Sequence, residues 1–424
     1  MKAKTKTTAT KEEATPALVP KLRFPEFREA EGWTEKPLKA AAHINPANGG
    51  LPELFVYIDL ESVDAGELKA KERISRIGAP SRAQRLVERG DIIYQVVRPY
   101  QRNNLLCEFE DDEDYVASTG YAQLRAKGSN RFLYQSIHTD SFVGRVIAKC
   151  TGSNYPAINS SDLAEIHLPI PPTIPEQQKI AECLSSVDEL IAAQARKLAA
   201  LKTHKKGLMQ QLFPREGETQ PRLRFPEFQN AGEWEPRNVS QLAKVTTGAK
   251  DTQNKVEDGK YPFFVRSQTV ERIDSYSYDG EAVLTSGDGV GVGKNFHHIN
   301  GKFDFHQRVY CIYDFDKEAS GLFFYLYFSE HFGERVMRMS AKNSVDSVRM
   351  AMITEMPVLL PPLPEQQRIA SCLTSLDDLI AAQTQKHEAL KTHKQGLMQQ
   401  LFPTVAGASS SNAQQEEQDA PATP

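Results

Sequence analysis

Basic and amide side chains flank an aromatic residue in the segment VVRPYQRNN, residues 96–104. Arginine can donate two hydrogen bonds to guanine, and asparagine or glutamine pairs in the same way with adenine. The surrounding region is basic, because residues 66–106 contain nine Lys and Arg against four Asp and Glu. These residue types predict contact with DNA bases and phosphates. The residues concerned are Arg98, Tyr100, Gln101, Arg102, Asn103 and Asn104.

Two further segments, AKCTGSNYPAIN (148–159) and MSAKNSVDSVR (339–349), combine Lys, Ser and Asn in turn-prone loops suited to phosphate contact. Their candidates are Lys149, Ser153, Asn154, Tyr155, Lys342, Asn343, Ser344 and Arg349. Additional candidates are Arg266, Gln268, Arg272, Ser286, Lys294 and Asn295. For any single residue, a solvated charge or a turn former is the simpler interpretation. The prediction rests on the group.

Motifs for catalysis or nucleotide binding do not fit this sequence. LTSGDGVGVGKNFHH, residues 284–298, resembles a phosphate-binding loop, but Asp288 stands at the first glycine position and Asn295 replaces the Ser or Thr. His297, His298 and His306 lack the spacing of metal ligands. We therefore predict no catalytic residues, no metal and no cofactor in this chain.

The composition limits the class of protein. A chain of 424 residues predicts two or three domains, and 40% hydrophobic with 25% charged residues is typical of globular proteins. The net charge of −4 argues weakly against DNA binding, although the acidic run CEFEDDEDY (107–115), predicted to be a solvated loop, hides local basic patches. Five scattered cysteines and a Lys/Thr-rich start without an apolar core predict a cytoplasmic protein that does not enter a membrane.

An internal repeat organises the chain. Residues 175–214 and 364–403 are identical at 30 of 40 positions, and LRFPEF occurs at both 22–27 and 223–228. The two tryptophans, Trp33 and Trp234, each follow one copy of LRFPEF. A whole unit is therefore repeated rather than a single element.

The repeated segment predicts a long helix. Apolar residues recur every three, four or seven positions, Pro and Glu open each copy, and Pro214 and Pro403 end them. About 37 helical residues would span ~55 Å. An antiparallel pairing of the two copies would cover both apolar stripes, with Gln194 and Gln383 setting the register; a coiled coil for self-dimerisation is the alternative.

The variable stretches, 33–168 and 234–357, contain short β-rich runs and are predicted to share a fold. The predicted fold class is α+β: two β-rich domains separated by two long antiparallel helices with internal pseudo-two-fold symmetry. The predicted boundaries are a disordered tail (1–20), domain 1 (21–170), helix 1 (171–214), a linker (215–222), domain 2 (223–360), helix 2 (361–403) and a disordered tail (404–424).

LPIPPTIPEQQKIAECLSSVDELI and LLPPLPEQQRIASCLTSLDDLI resemble the signature of type I restriction-modification specificity subunits. LRFPEF before each variable stretch and KGLMQQLFP at each helix end also resemble that family, so the similarity extends over residues 21–403. Thr173 and Ile174 depart from the family's usual Leu.

The resemblance implies two target-recognition domains, each reading one half of a split, asymmetric site on double-stranded DNA. It implies two methyltransferase subunits docked on the helices and two restriction subunits, with S-adenosylmethionine, ATP and Mg²⁺ on those partners. Residues expected to contact the partners are Gln177, Gln178, Lys202, His204, Gln366, Gln367, Lys391 and His393. A helical scaffold without sequence-specific DNA binding is the alternative function.

Overall fold

The computed structural model of the chain describes residues 18–69, 71–152, 155–215, 217–339 and 347–404. The chain divides into two compact units. Unit 1 takes the residues up to Ala193 and those from His387 onward, and unit 2 takes Gln194–Lys386. Each long helix is therefore divided between the two units, because half of each helix belongs to each core.

Unit 1 contains twelve strands among its described residues: β1 (Thr34–Pro37), β2 (Ala42–Ile44), β3 (Leu54–Ile58), β4 (Val63–Asp64), β5 (Glu67–Leu68), β6 (Arg73–Ser75), β7 (Ala83–Val87), β8 (Ile92–Gln95), β9 (Leu105–Leu106), β10 (Tyr115–Ser118), β11 (Tyr121–Ala126) and β12 (His167–Ile170). Its short helices are α1 (Leu38–Ala41), α2 (Asn130–Ser136), α3 (Asp140–Lys149) and α4 (Ser160–Ala164). The first long helix is α5 (Ile174–Leu212).

Unit 2 contains the strands β13 (Glu235–Asn238), β14 (Lys244–Thr247), β15 (Tyr261–Phe264), β16 (Glu271–Ile273), β17 (Tyr278–Ser286), β18 (Phe296–Phe305), β19 (Val309–Tyr313) and β20 (Pro357–Leu360). Its helices are α6 (Val239–Leu242), α7 (Gly321–Met339) and α8 (Met350–Thr354). The second long helix is α9 (Leu363–Leu401).

The two units share one strand order. Unit 1 has a sheet of order β2-β11-β8-β9 and a second sheet in which β3 lies between β6 and β10, parallel to β10. Unit 2 has a six-stranded sheet of order β14-β19-β17-β18-β15-β16, with β15 parallel to β18. The long strand β17 takes the places of β7, which pairs with β10, and of β8. The long strand β18 takes the places of β9 and β10, which the acidic run separates in unit 1. The predicted common fold of the variable stretches is confirmed.

A short antiparallel strand pair frames each β-rich segment: β1 with β12, and β13 with β20. Beside these pairs the Leu38 amide donates to the Ile166 carbonyl at 2.8 Å, and the Val239 amide to the Met356 carbonyl at 3.0 Å. The segments 38–166 and 239–356 therefore each begin and end at adjacent points.

Within each unit the two long helices run antiparallel, as predicted. In unit 1, Lys394 pairs with Asp188 at 2.7 Å, and the start of α5 packs with Leu401 near the end of α9. In unit 2, Lys205 pairs with Asp377 at 2.5 Å, and Gln194 donates to the Gln383 side chain at 2.7 Å. The predicted role of this glutamine pair in helix register is confirmed.

Aromatic triads explain the repeated tryptophans and the repeated LFP ending. In unit 1, the Trp33 ring lies 5.8 Å from that of Phe132 and 5.9 Å from that of Phe402, near the end of α9. In unit 2, the Phe323 ring lies 5.8 Å from that of Trp234 and 5.7 Å from that of Phe213, at the end of α5. Each core is therefore closed by the end of the helix that began in the other unit.

A buried ion pair joins each LRFPEF motif to the first turn of a long helix. In unit 1, Arg23 donates to both carboxylate oxygens of Glu176 at 2.7 and 2.8 Å, and Trp33 Nε1 donates to the same group at 3.0 Å. In unit 2, Arg224 donates to both oxygens of Glu365 at 2.7 Å. Planar two-point pairing of this kind fixes direction as well as distance. We call these two pairs the clasps.

Candidate nucleic-acid interface

In unit 1 the structure brings two of the predicted segments together. The Arg98 guanidinium lies 4.4 Å from the centre of the Tyr155 ring, and the Arg98 amide donates to the Pro156 carbonyl at 2.8 Å. Tyr155 and Tyr100 are 64% and 49% exposed, so their rings are available to a ligand. An exposed aromatic ring can stack on a base, and an arginine beside it can bind a phosphate.

Several of the neighbouring candidates have structural roles instead. Asn104 is buried; its Oδ1 accepts from the Gln95 amide at 2.8 Å and its Nδ2 lies 3.1 Å from His138 Nε2. Arg102 donates to the His138 carbonyl at 3.0 Å and to Asp140 at 2.6 Å. The prediction of DNA contact is therefore wrong for Asn104, because loop closure uses its side chain. Arg102 is half-exposed but tied to the protein surface.

His138 lies under this loop. Its Nδ1 is 2.6 Å from the Tyr134 carbonyl and therefore carries the proton, which leaves Nε2 to accept from Asn104. Burial, together with the positive charges of Lys394 and Arg102, lowers the pKa of His138 to about 4. The imidazole is thus neutral near pH 7, and the loop packs against an uncharged side chain.

The remaining unit 1 candidates divide as follows. Gln101 is exposed, and its Oε1 accepts from Gln95 Nε2 at 2.9 Å. Asn103 is half-buried, and its backbone amide donates to Gln95 Oε1 at 3.2 Å. Lys149 is exposed at the end of α3. Ser153 and Asn154 lie outside the described residues.

Most of the acidic side chains of the run are exposed, as predicted, whereas Cys107 and Tyr115 at its ends are buried. Several of these acidic side chains pair with part of the basic region. The pairs are Asp111 with Lys71, Glu113 with Arg73, and Glu108 with Arg131 at 2.8 Å. Two of the nine basic residues between positions 66 and 106 are thereby neutralised. The basic surface of unit 1 is smaller than its sequence indicates.

In unit 2 one carboxylate forms ion pairs with two arginines from different loops. Asp288 Oδ1 lies 2.9 Å from Arg266 Nη1, and its Oδ2 lies 3.7 Å from Arg308 Nε. The three charges sum to +1, and the side chains of Arg266 and Arg308 are 48% and 66% exposed. Sequence reasoning missed Arg308, because it is distant in sequence from the loops beside it. We call Asp288, Arg266 and Arg308 the charge cluster.

An asparagine closes the equivalent loop of unit 2. Asn295 Nδ2 donates to the Arg266 carbonyl at 3.0 Å and to Ser286 Oγ at 3.3 Å. Ser286 is 2% exposed. Asn295 follows Ser286 by nine positions, as Asn104 follows Gln95, so an asparagine closes the loop at the same position in both units, although Asn104 accepts from a backbone amide and Asn295 donates to a hydroxyl. DNA contact was therefore wrongly predicted for the buried Ser286, and the Asn295 amide group is used internally.

The other unit 2 candidates lie on the surface. Gln268, Lys294 and Arg349 are exposed. Arg349 follows Val348, whose amide donates to the Gly287 carbonyl at 2.7 Å, so this segment lies beside the charge cluster. Arg272 is exposed but donates to the carbonyls of Gly259 and Lys260 at 2.8 and 2.9 Å. Lys342, Asn343 and Ser344 lie outside the described residues.

Two of the predicted partner-contact residues are interior instead. Gln177 is 8% exposed, and its Oε1 accepts from the Ser129 amide at 3.1 Å. Gln366 is fully buried and accepts from the Ser320 amide at 2.9 Å. Each residue thus fixes the start of a helix within its own unit and does not face a partner. The remaining six are exposed: Gln178, Lys202, His204, Gln367, Lys391 and His393.

A different face of the long helices is exposed and identical in both copies. On α5 it consists of Ser186, Leu190 and Ala193, all in unit 1, and on α9 of Ser375, Leu379 and Ala382, all in unit 2. Steps of four and three residues place each set on one side of its helix. Leu190 and Leu379 are 56% and 40% exposed. The signal was present in the sequence, because both leucines lie off the apolar stripe. We call these two sets the repeated faces.

Among the described residues no His, Cys, Asp and Glu side chains cluster as three or more potential metal ligands. The described helices also include none with both the length and the apolar character needed to cross a membrane.

A duplicated topology with exposed basic side chains on loops of each copy is typical of a two-part binding protein suited to nucleic acid. A family model of the type I restriction modification DNA specificity domain matches residues 107–203 and 231–392, more than half of the chain. The chain belongs to this family, which confirms the predicted resemblance.

Two relatives that are similar in sequence are also type I restriction enzyme specificity subunits. The chain is 30% identical over 144 residues to the EcoDI specificity subunit of Escherichia coli, covering 34% of this chain and 31% of that protein. It is 25% identical over 276 residues to the MjaVIII specificity subunit of Methanocaldococcus jannaschii, covering 59% and 64%. The matched segments thus span less than two thirds of either relative.

Solved structures show the same fold. A type I restriction-modification S subunit from M. genitalium superposes with a TM-score of 0.59 at 15% identity, covering 92% of this chain and all of that chain. A chain described under complex assembly and conformational transition of the type I R-M system superposes with a TM-score of 0.54 at 21% identity, covering 88% and 98%. The predicted fold class is confirmed.

Proposed function

We propose that this chain is the DNA sequence-recognition subunit of a type I restriction-modification complex, and that it reads a bipartite, asymmetric site with one half per unit. One observation carries the proposal: the repeated faces are identical, whereas the loops that bear the basic residues differ. Residues 96–104 read VVRPYQRNN, and the equivalent residues 287–295 read GDGVGVGKN. Identical faces suit two copies of one partner, and unlike loops suit two unlike half-sites.

The partners follow from this division. Two methyltransferase subunits would dock on the repeated faces and bring S-adenosylmethionine and the methyl-transfer chemistry. Restriction subunits would join that complex and use ATP and Mg²⁺. The present chain would supply orientation and sequence choice and no catalytic step. A singly exposed leucine is ordinary, and the support for docking is that the same leucine is exposed at the equivalent position of both helices.

Mapping methylated adenines tests the recognition role. The full chain is co-expressed with its methyltransferase partner in a host that lacks other adenine methylation, and the genome is sequenced for modified bases. We expect one split motif with unlike halves. Methylation without a split motif, or complexes that bind random and selected duplexes equally, would favour the helical scaffold.

The docking role is tested by the mass of the complex. L190D and L379D each place a charge in one repeated face, so each variant is expected to lose one copy of the methyltransferase, and the double variant both. A199E is the matched control, because Ala199 is exposed and its counterpart in the second copy is already Glu388. Retention of two copies by the double variant would contradict docking on these faces.

A further inference from the structure

One apolar side chain in unit 2 is almost fully exposed. Val290 is 94% exposed, and the next most exposed large apolar residue described in unit 2, Met337, is 54% exposed. Val290 lies in the loop between β17 and β18, in the segment GDGVGVGKN (287–295). An isolated exposed valine is ordinary on a protein surface. The surroundings of Val290 in this loop, however, are not ordinary.

The loop is held in place at several points. Gly287 donates to the Arg308 carbonyl at 2.8 Å, and the amides of Lys294 and Asn295 donate to the Gly291 carbonyl at 3.1 and 2.9 Å. Asn295 also ties the loop to Arg266 and Ser286, as described above. The valine is therefore presented by a loop whose two ends are bonded to neighbouring segments and whose second half is closed by its own hydrogen bonds.

Glycines permit this construction. A Cβ on Gly291 would lie 2.1 Å from Asn295 Nδ2, and one on Gly293 would lie 3.0 Å from the Gly333 Cα on α7. Gly293 also has a φ of +67°, which favours glycine. A flexible linker would need none of these close approaches. The loop is built tightly, and of its two central valines Val292 packs against the core whereas Val290 contacts solvent.

The charges around Val290 indicate what contacts it. The charge cluster lies at the start of the loop, and Lys294 is exposed four residues beyond Val290. A protein partner that buried this valine would also bury the net positive charge of the charge cluster and of Lys294, which is costly. A DNA duplex would pair those cations with phosphates and offer an apolar group in its major groove, the 5-methyl of thymine.

We propose that Val290 contacts the 5-methyl group of a thymine in the half-site read by unit 2, and thereby contributes to base choice at that position. This inference rests on the proposed function. Arg266, Arg308 and Lys294 would hold the backbone on either side, and the loop would enter the major groove with the valine foremost.

Uracil, which lacks the methyl group, provides a direct probe. The complex of the full chain with its methyltransferase is bound to duplexes carrying the mapped site, in which each thymine in turn is replaced by uracil. At one position of the unit 2 half-site, we expect uracil to weaken binding about fourfold, the effect of one buried methyl. In V290A, the same replacement should have no effect.

Controls separate this inference from the proposed function. V290I keeps an apolar group and should retain the uracil dependence, and V19A truncates an exposed valine of unit 1 and should behave as the wild type. If V290A responds to uracil as the wild type does, or no thymine of that half-site shows the dependence, the inference is overturned while site-selective binding stands. Loss of site selectivity in the wild-type complex would instead overturn the proposed function.

Discussion

Asp288 shows how one acidic residue can improve a surface that is proposed to bind DNA. An isolated carboxylate would repel phosphate, but Asp288 faces Arg266 at 2.9 Å and Arg308 at 3.7 Å. It neutralises one of the two charges and restricts the directions in which both guanidinium groups can donate. Contacts to phosphate fix the register of a protein on the duplex, so two arginines held in one direction would keep the loop of unit 2 over its bases.

D288N should therefore bind random duplex more tightly than the wild type and discriminate less between the specific site and random duplex. The variant gains one net positive charge, so its affinity for random duplex should fall more steeply with salt concentration. The difference should correspond to about one additional released counterion. The ratio of specific to random affinity should fall roughly tenfold, because two arginines lose their restraint. Titrations at several salt concentrations measure both quantities. D279N, which neutralises an exposed acid of β17, is the matched control; an unchanged ratio in D288N would contradict the positioning role.

His138 makes the loop of unit 1 sensitive to acid. Its folded-state pKa of about 4 lies below the ordinary value of 6.5, so between these values the unfolded chain binds the additional proton. Stability from this group is therefore complete above pH 6.5 and is lost as the pH falls. Between pH 7 and pH 5 the loss should be about 2 kcal/mol. Urea unfolding of the wild type and H138Q at both pH values measures it.

The variant H138Q has no imidazole, so its free energy of unfolding should change less over this pH range. H43Q removes an exposed histidine of β2 and should keep the wild-type pH dependence. Equal losses in the wild type and H138Q would show that other groups cause the acid sensitivity.

At the scale of elements, the clasps hold each β-rich segment to a long helix. Arg23 and Glu176 have side chains 6% and 1% exposed, and those of Arg224 and Glu365 are 7% and 1% exposed. Removing one member of a buried pair leaves the other charge without compensation and costs about 3–5 kcal/mol. We expect E176Q and E365Q to lose stability on this scale.

The two clasps differ in one hydrogen bond. Glu176 also accepts from Trp33 Nε1, whereas Trp234 Nε1 in unit 2 has no hydrogen-bond partner among the described residues. E176Q should therefore be the more destabilised of the two variants in chemical unfolding. Replacing both members, as in R23M with E176M, should cost less than E176Q alone, since no buried charge remains. A larger cost for the double variant would contradict this account.

The elements were predictable where the signal is local. The spacing of apolar residues and the flanking prolines predicted helices that the structure places at Ile174–Leu212 and Leu363–Leu401. The clasps were not predicted, because Arg23 and Glu176 are 153 positions apart and each looks like a surface residue in its own segment.

The site was predicted only in part for a related reason. Asn104 and Asn295 have the side chain expected at a DNA contact, but the packing of neighbouring strands turns both inward to close loops. Arg308 is the opposite case, because nothing near it in sequence indicates that two other loops meet there. Residue type predicts which chemistry is possible, and the tertiary arrangement decides which residues are free to perform it.

At the scale of the whole molecule, duplication predicts interchangeable parts. Each β-rich segment begins and ends at hydrogen-bonded neighbours, Leu38 with Ile166 and Val239 with Met356. Each also lies within one unit. Replacing residues 239–356 by the corresponding segment of another family member should therefore leave the strand pair β13–β20, the clasp and the repeated face in place. We expect the methylated motif to change in one half and to keep the other half and its spacer.

The reciprocal replacement of residues 38–166 is the matched experiment, and it should change the other half. Mapping of methylated adenines in the two chimaeras, side by side with the wild type, measures both outcomes at once. The repeated faces, on which we propose that the methyltransferase docks, lie outside the exchanged segments, so both chimaeras should assemble with the same methyltransferase. A chimaera that assembles normally but changes both halves, or the spacer, would show that the units do not read DNA independently.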